Sequence, residues 1–166
     1  MSKRPPDPRD VAIRVDSMFF DGAPGEPERV AADELTHLYR AREVLIAIPH
    51  SVRRELDRPA TPAATQQRAD EFSYTLDTGL GDPQRQQQAE AVLRGNAKEG
   101  AHEADAAHVY DSVCWAAGYF VTLDRRIHKK SEELRQLFPD LWVVRPTKLL
   151  EIYRDYIARD PRVSDD

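Results

Sequence analysis

Short apolar runs and longer stretches of mixed apolar and polar residues alternate along most of the chain. Residues 11–15 (Val-Ala-Ile-Arg-Val) are a brief run containing β-branched residues, and they predict a strand. A turn-rich loop from Asp21 to Pro27 follows. The spacing next predicts a helix over 28–42, with Val30, Leu35, Leu38 and Tyr39 on its buried side. A second strand covers 44–48 and closes at Pro49, which also suits the start of a helix over 50–56. Two Gln- and Arg-rich segments, 66–76 and 84–93, flank Gly79-Leu-Gly-Asp-Pro83 and read as an α-hairpin insertion or lid. Their apolar content is thin, so light packing on the main body is expected. A helix over 103–117 should stop at Gly118, taken as its C-cap glycine. A strand over 119–123 comes next, then a short helix over 131–137 with Ser131 as N-cap. A strand over 141–144 and a final helix over 147–158, after Pro146, complete the pattern.

This alternation predicts an α/β fold, a three-layer α/β/α sandwich around a central, mainly parallel sheet. One domain is expected over 11–159, with the helical insertion at about 58–100. The Pro-rich first ten residues read as a disordered or extended tail, and 160–166 as a C-terminal tail.

Composition narrows the picture. The 166 residues are 40% apolar and 32% charged, which predicts a soluble body with a highly charged surface. No apolar stretch approaches the ~20 residues of a membrane span, and the start lacks a signal peptide's apolar segment, so no membrane association is expected. A single cysteine, Cys114, precludes an internal disulfide and fits a cytoplasmic setting. The net charge of −5 arises from 29 acidic and 24 basic residues, enough of each for separate patches. Net charge therefore does not exclude a nucleic-acid partner.

The candidate chemistry lies in the acids. Two predicted strands run directly into aspartates, Asp16 and Asp124. In an open parallel sheet the carboxyl ends of the strands form the ligand crevice, so these acids should meet there. Glu55 sits early in the helix after the second strand, and Asp105 in the first turn of another. Clustered carboxylates repel one another, and a hard divalent cation such as Mg²⁺ or Mn²⁺ removes that repulsion. Such a cation can activate a water and stabilise a phosphoryl oxygen, which points to phosphate chemistry. Asp21, Glu103 and Asp111 are neighbours able to supplement the set, although Asp111 is expected to face solvent.

Ser17 and Thr122 carry hydroxyls able to hold a carboxylate or to satisfy local backbone. His108 follows Asp105 by one turn, and reads either as a contact of the site or as a structural histidine. Tyr110, Cys114 and Trp115 have core-like spacing. His50, His102 and His128 are not spaced for zinc, and no Gly-rich phosphate loop is present. Arg125, Arg126, Lys129 and Lys130 follow Asp124, and Arg53 and Arg54 precede Glu55. These cations read as contacts for a nucleic-acid backbone or as solvated surface.

The motifs also carry a family resemblance. Ala104-Asp105-Ala106-Ala107-His108, then Ala117-Gly118, then Phe120-Val121-Thr122-Leu123-Asp124 is similar to the C-terminal signature of the PIN-domain nucleases. Val15-Asp16-Ser17 resembles that family's opening strand and acid, and Ile48-Pro49-His50-Ser51-Val52-Arg53-Arg54-Glu55-Leu56 its second acidic motif. Trp142-Val143-Val144-Arg145-Pro146-Thr147-Lys148-Leu149-Leu150 resembles the closing strand and helix. The resemblance implies an endoribonuclease in which Asp16, Glu55, Asp105 and Asp124 hold one or two Mg²⁺ or Mn²⁺ ions. It further implies RNA as substrate, an antitoxin protein as a partner where the member is a toxin, and a homodimer. Met18 stands where the family usually has Asn, and the insertion is long for its small toxins. Two alternatives follow: a catalytically weak PIN-like module binding RNA or protein, and a structure-specific DNA nuclease. A phosphatase ranks below both, because no Asp-x-Asp motif follows the first strand.

Overall fold

The computed structural model describes residues 3–21, 25–114 and 118–160. Five parallel strands form one sheet: β1 (Ala12–Val15), β2 (Ile46–Ile48), β3 (Ser73–Tyr74), β4 (Gly118–Val121) and β5 (Trp142–Val144). Their spatial order is β3-β2-β1-β4-β5, so the chain builds outward from β1 in one direction and then returns to its other side. Helices cover both faces, giving the three-layer α/β/α sandwich. No helix among the described residues is long and apolar enough to cross a membrane.

Strand alternation sorts the layers. Ile13 and Val15 of β1 pack with Leu35 of α1 (Glu26–Arg40) and Leu149 of α8 (Pro146–Arg159). Phe120 of β4 packs on the opposite layer, built by α4 (Pro83–Arg94), α5 (Glu103–Val113), α6 (Arg125–Lys129) and α7 (Ser131–Leu137). The short helices α2 (His50–Leu56) and α3 (Ala63–Ala69) follow β2, and Val52, Leu56 and Ala69 join the first layer.

Several expectations are corrected. Helix α1 begins earlier than 28, because Gly25 caps it and Pro27 occupies its first turn. Val30 is 52% exposed, and the buried stripe runs instead through Ala31, Ala32 and Leu35. The 58–100 segment is not a lightly docked α-hairpin. After α3 the chain extends into β3, which pairs with β2 at the sheet edge. Phe72 anchors that extension, stacking on Tyr39 at 4.6 Å and meeting Phe20 edge-on at 5.2 Å. Helix α4 packs along α5 and buries Ala89 and Leu93 completely.

Gly118 is not a helix cap. Helix α5 ends at Val113, the stretch 115–117 lies outside the described residues, and Gly118 opens β4 opposite Ala12. A Cβ there would sit 2.1 Å from the Ala12 carbonyl oxygen, so the close strand approach requires glycine. Trp115 and the 161–166 part of the C-terminal tail also lie outside the described residues. Ser131 is the first helical residue of α7 and makes no side-chain cap; Lys130 stands at the cap position.

Residues 3–10, expected as a disordered or extended tail, are held in place, without regular structure over 3–7 and in a turn at 8–10 where the Asp10 amide donates to the Asp7 carbonyl at 3.0 Å. Arg9 bridges Asp7 and Asp160 at 2.6 and 2.9 Å. The Tyr156 hydroxyl donates to the Pro5 carbonyl at 2.7 Å, and the Tyr119 hydroxyl to that of Pro6.

Candidate functional site

The sheet order reverses between β1 and β4, so their carboxyl ends frame the crevice in which open α/β sheets bind ligands. The register pairs Val15 with Val121, and the Asp16 amide continues the ladder by donating to the Val121 carbonyl at 3.0 Å. Asp16 and Thr122 thereby lie side by side on the α5 face. Thr122 Oγ1 donates to Asp16 Oδ2 at 2.8 Å, and the Ser17 amide to Oδ1 at 2.8 Å.

Glu55 reaches the same place from α2. The Ser17 hydroxyl links the two acids, donating to Glu55 Oε1 at 3.1 Å and lying 3.5 Å from Asp16 Oδ1. His108 Nε2 sits 2.8 Å from Glu55 Oε2, and its Nδ1 lies 2.9 Å from the Ser51 hydroxyl. An ionised Glu55 only accepts, so Nε2 carries the proton, and in the neutral ring Ser51 donates to Nδ1. Thr122, Asp16, Ser17, Glu55, His108 and Ser51 thus form one hydrogen-bonded chain drawn from β1, α2, α5 and the end of β4.

Burial dominates the electrostatics of Asp16, which is 7% exposed. Desolvation pushes its carboxyl above the ordinary 3.8, and the Glu55 charge pushes the same way. The Thr122 hydroxyl, the His108 charge and the Ser17 amide pull against this without cancelling it.

The other two predicted acids stand apart from this chain. Asp105, in the first turn of α5, pairs with His102 Nδ1 at 3.2 Å. Asp124 caps α6, its Oδ1 accepting the amides of Arg126 and Ile127 at 2.8 and 3.0 Å. Its own amide donates to Thr122 Oγ1 at 3.1 Å, which ties Asp124 to the site through the backbone. Among the described residues, no three His, Cys, Asp or Glu side chains are placed to hold a metal ion together.

The predicted cations divide in the same way. Arg53 is engaged by Asp57 and Asp70, Lys130 by Glu133, and Arg126 donates to the Leu93 carbonyl at 3.0 Å. Arg54, Arg125 and Lys129 are exposed and in no ion pair among the described residues.

Sequence reasoning missed Ser51, which orients His108, although it lies within the second acidic motif. It also placed Asp111 in solvent, whereas Asp111 is 5% exposed and lies 3.1 Å from His50 Nε2. Helical spacing carried that signal, because Asp111 is one turn beyond His108. The Ser51–His108–Glu55 order resembles a nucleophile relay, but Ser51 is 6% exposed within α2 and does not line the neighbouring cleft.

Fold and site together define an α/β/α protein carrying a linked carboxylate pair at its topological switch point. Compared with models of known protein families, with curated proteins and with solved structures, the chain matches none.

Proposed function

We propose that the protein is a metal-dependent endoribonuclease acting at the Asp16–Glu55 pair. The observation that carries this reading is the bridging of two carboxylates by Ser17 at the switch point, one of them buried and raised in pKa. Such an arrangement favours an added positive charge. Carboxylate oxygens are the hard donors that Mg²⁺ and Mn²⁺ prefer, and both ions retain several waters, so two protein ligands suit them. A bound cation would supply charge to a phosphoryl oxygen and lower the pKa of a water. Thr122 and Ser17 fix the Asp16 carboxylate, and His108 fixes Glu55. Arg54, Arg125 and Lys129, exposed and in no ion pair among the described residues, would contact the phosphates of the strand.

The test is cleavage of single-stranded RNA with Mg²⁺ or Mn²⁺, against the same reaction in chelator and against a DNA strand of equal sequence. Asp16→Asn and Glu55→Gln should each lower the rate by about 100-fold or more. Full metal-dependent cleavage by both variants would falsify the assignment. Preference for the DNA strand would transfer the site to a DNA nuclease.

A second reading, a PIN-like module that binds RNA or protein with little catalysis, is favoured by Met18 and by the engagement of the Asp105 and Asp124 carboxylates outside the hydrogen-bonded chain. Calorimetric titration with Mn²⁺ separates the two. Absence of binding at millimolar metal supports the module.

A further inference from the structure

Beside the acid pair, α2, α5 and the 76–82 connection border an open cleft of about 730 Å³. That volume lies within the range of small-molecule sites and accommodates a nucleotide. Helix α2 joins the cleft to the acid pair residue by residue. His50 and Arg54 line the cleft, whereas Ser51 and Glu55, their next neighbours in the chain, belong to the hydrogen-bonded chain. Helix α5 repeats the arrangement, with Asp111 lining the cleft one turn beyond His108.

The polar groups on this wall are incompletely satisfied. Asp111 is 5% exposed, and its buried Oδ2 makes no hydrogen bond among the described residues, being met by His50 Nε2 as an ion pair at 3.1 Å. Nδ1 of His50 is also buried without a partner. A buried carboxylate oxygen held by an ion pair without a well-formed hydrogen bond is under-satisfied, and such a group in a native structure calls for an explanation. Leu80, 88% exposed, adds apolar surface at the rim, and Arg54, which precedes Glu55 in the chain, adds a cation to the lining.

We propose that this cleft is a nucleobase pocket selective for a base bearing an exocyclic amino group. The proposal rests on the nuclease reading for its ligand class, the base belonging to the strand whose phosphate reaches the acid pair. Asp111 accepts from the amino group, as a carboxylate does from cytosine N4, and His50 meets the adjacent ring nitrogen. Uracil carries a carbonyl oxygen where cytosine carries the amino group, and so sets oxygen against carboxylate.

The test is titration of ¹⁵N-labelled full-length protein, without metal, by cytidine and uridine 5′-monophosphate. Saturable amide shifts are expected at residues 79–82 and 107–111, with cytidine monophosphate binding about 10-fold more tightly, the lower part of the range for one hydrogen-bonded base contact. Asp111→Asn should erase the preference, because its amide donates to the uracil carbonyl. The wild-type comparison decides the matter even if that variant fails to fold. Equal affinities, shifts confined to other elements, or saturation by neither nucleotide would overturn the proposal. The RNA-cleavage assay of Asp16→Asn is independent of these readouts, so failure of the pocket and failure of the nuclease reading are separately visible.

Discussion

Asp16 concentrates the tension of the site in one side chain. Burial holds its carboxyl above the ordinary 3.8, so the folded protein retains that proton to higher pH than the unfolded chain does. The associated stability is fully present below about 3.8 and is lost as pH rises through the folded value. Asp16→Asn keeps an acceptor for Thr122 and removes the ionisation. Its melting temperature should therefore gain on the wild type as pH climbs from about 4 to 8. Thermal melts across that range check this, and a wild type that gains on the variant would refute it. Mn²⁺ should raise the melting temperature of the wild type and leave Asp16→Asn nearly unmoved, since only a ligand of the native state stabilises.

At the scale of elements, four of the five strands and most helices were legible because apolar periodicity encodes them directly: α2 and α7 have the bounds their spacing predicts. The 58–100 region was not, for a physical reason. Ala89 and Leu93 are the buried anchors of α4, and two apolar residues in a Gln- and Arg-rich helix give a weak pattern despite complete burial. Phe72 lay inside an expected helix, yet its contacts with Tyr39 and Phe20 draw the chain into β3. Within the site, Asp16 and Glu55 could be placed from strand and helix ends alone, whereas the linkage through Ser51 and His108 depends on how α2 meets α5. Leu93→Ala measures the difference between a lid and a structural helix. A lid would lose little stability, but a fully buried leucine should cost about 2–5 kcal/mol, read as a lower urea midpoint with an unchanged slope. A loss below about 0.5 kcal/mol would restore the lid.

For the whole molecule, the 3–10 segment determines how the first described residues are held against the end of α8. Arg9 lies between Asp7, whose side chain is 12% exposed, and Asp160, at 6%, and so joins the N-terminal strap to the end of α8. Burial pushes the Asp7 carboxyl up, but the hydrogen bonds and charge of Arg9 outweigh it, and the net pKa is lowered from 3.8. Asp7 therefore contributes stability above 3.8 that is lost as pH falls through its lowered value. Arg9→Gln takes from the largely buried Asp7 carboxylate the cation that holds its pKa down. At neutral pH this should cost about 3 kcal/mol, near the lower figure for breaking a buried pair because Arg9 is itself partly exposed. In acid, where the Asp7 carboxyl takes up its proton, the difference between wild type and variant should shrink. Urea unfolding at neutral pH and at about pH 3 measures both quantities. A penalty that is absent at neutral pH, or that grows on acidification, would show that the strap rests on the tyrosine–carbonyl bonds at Pro5 and Pro6 and not on Arg9.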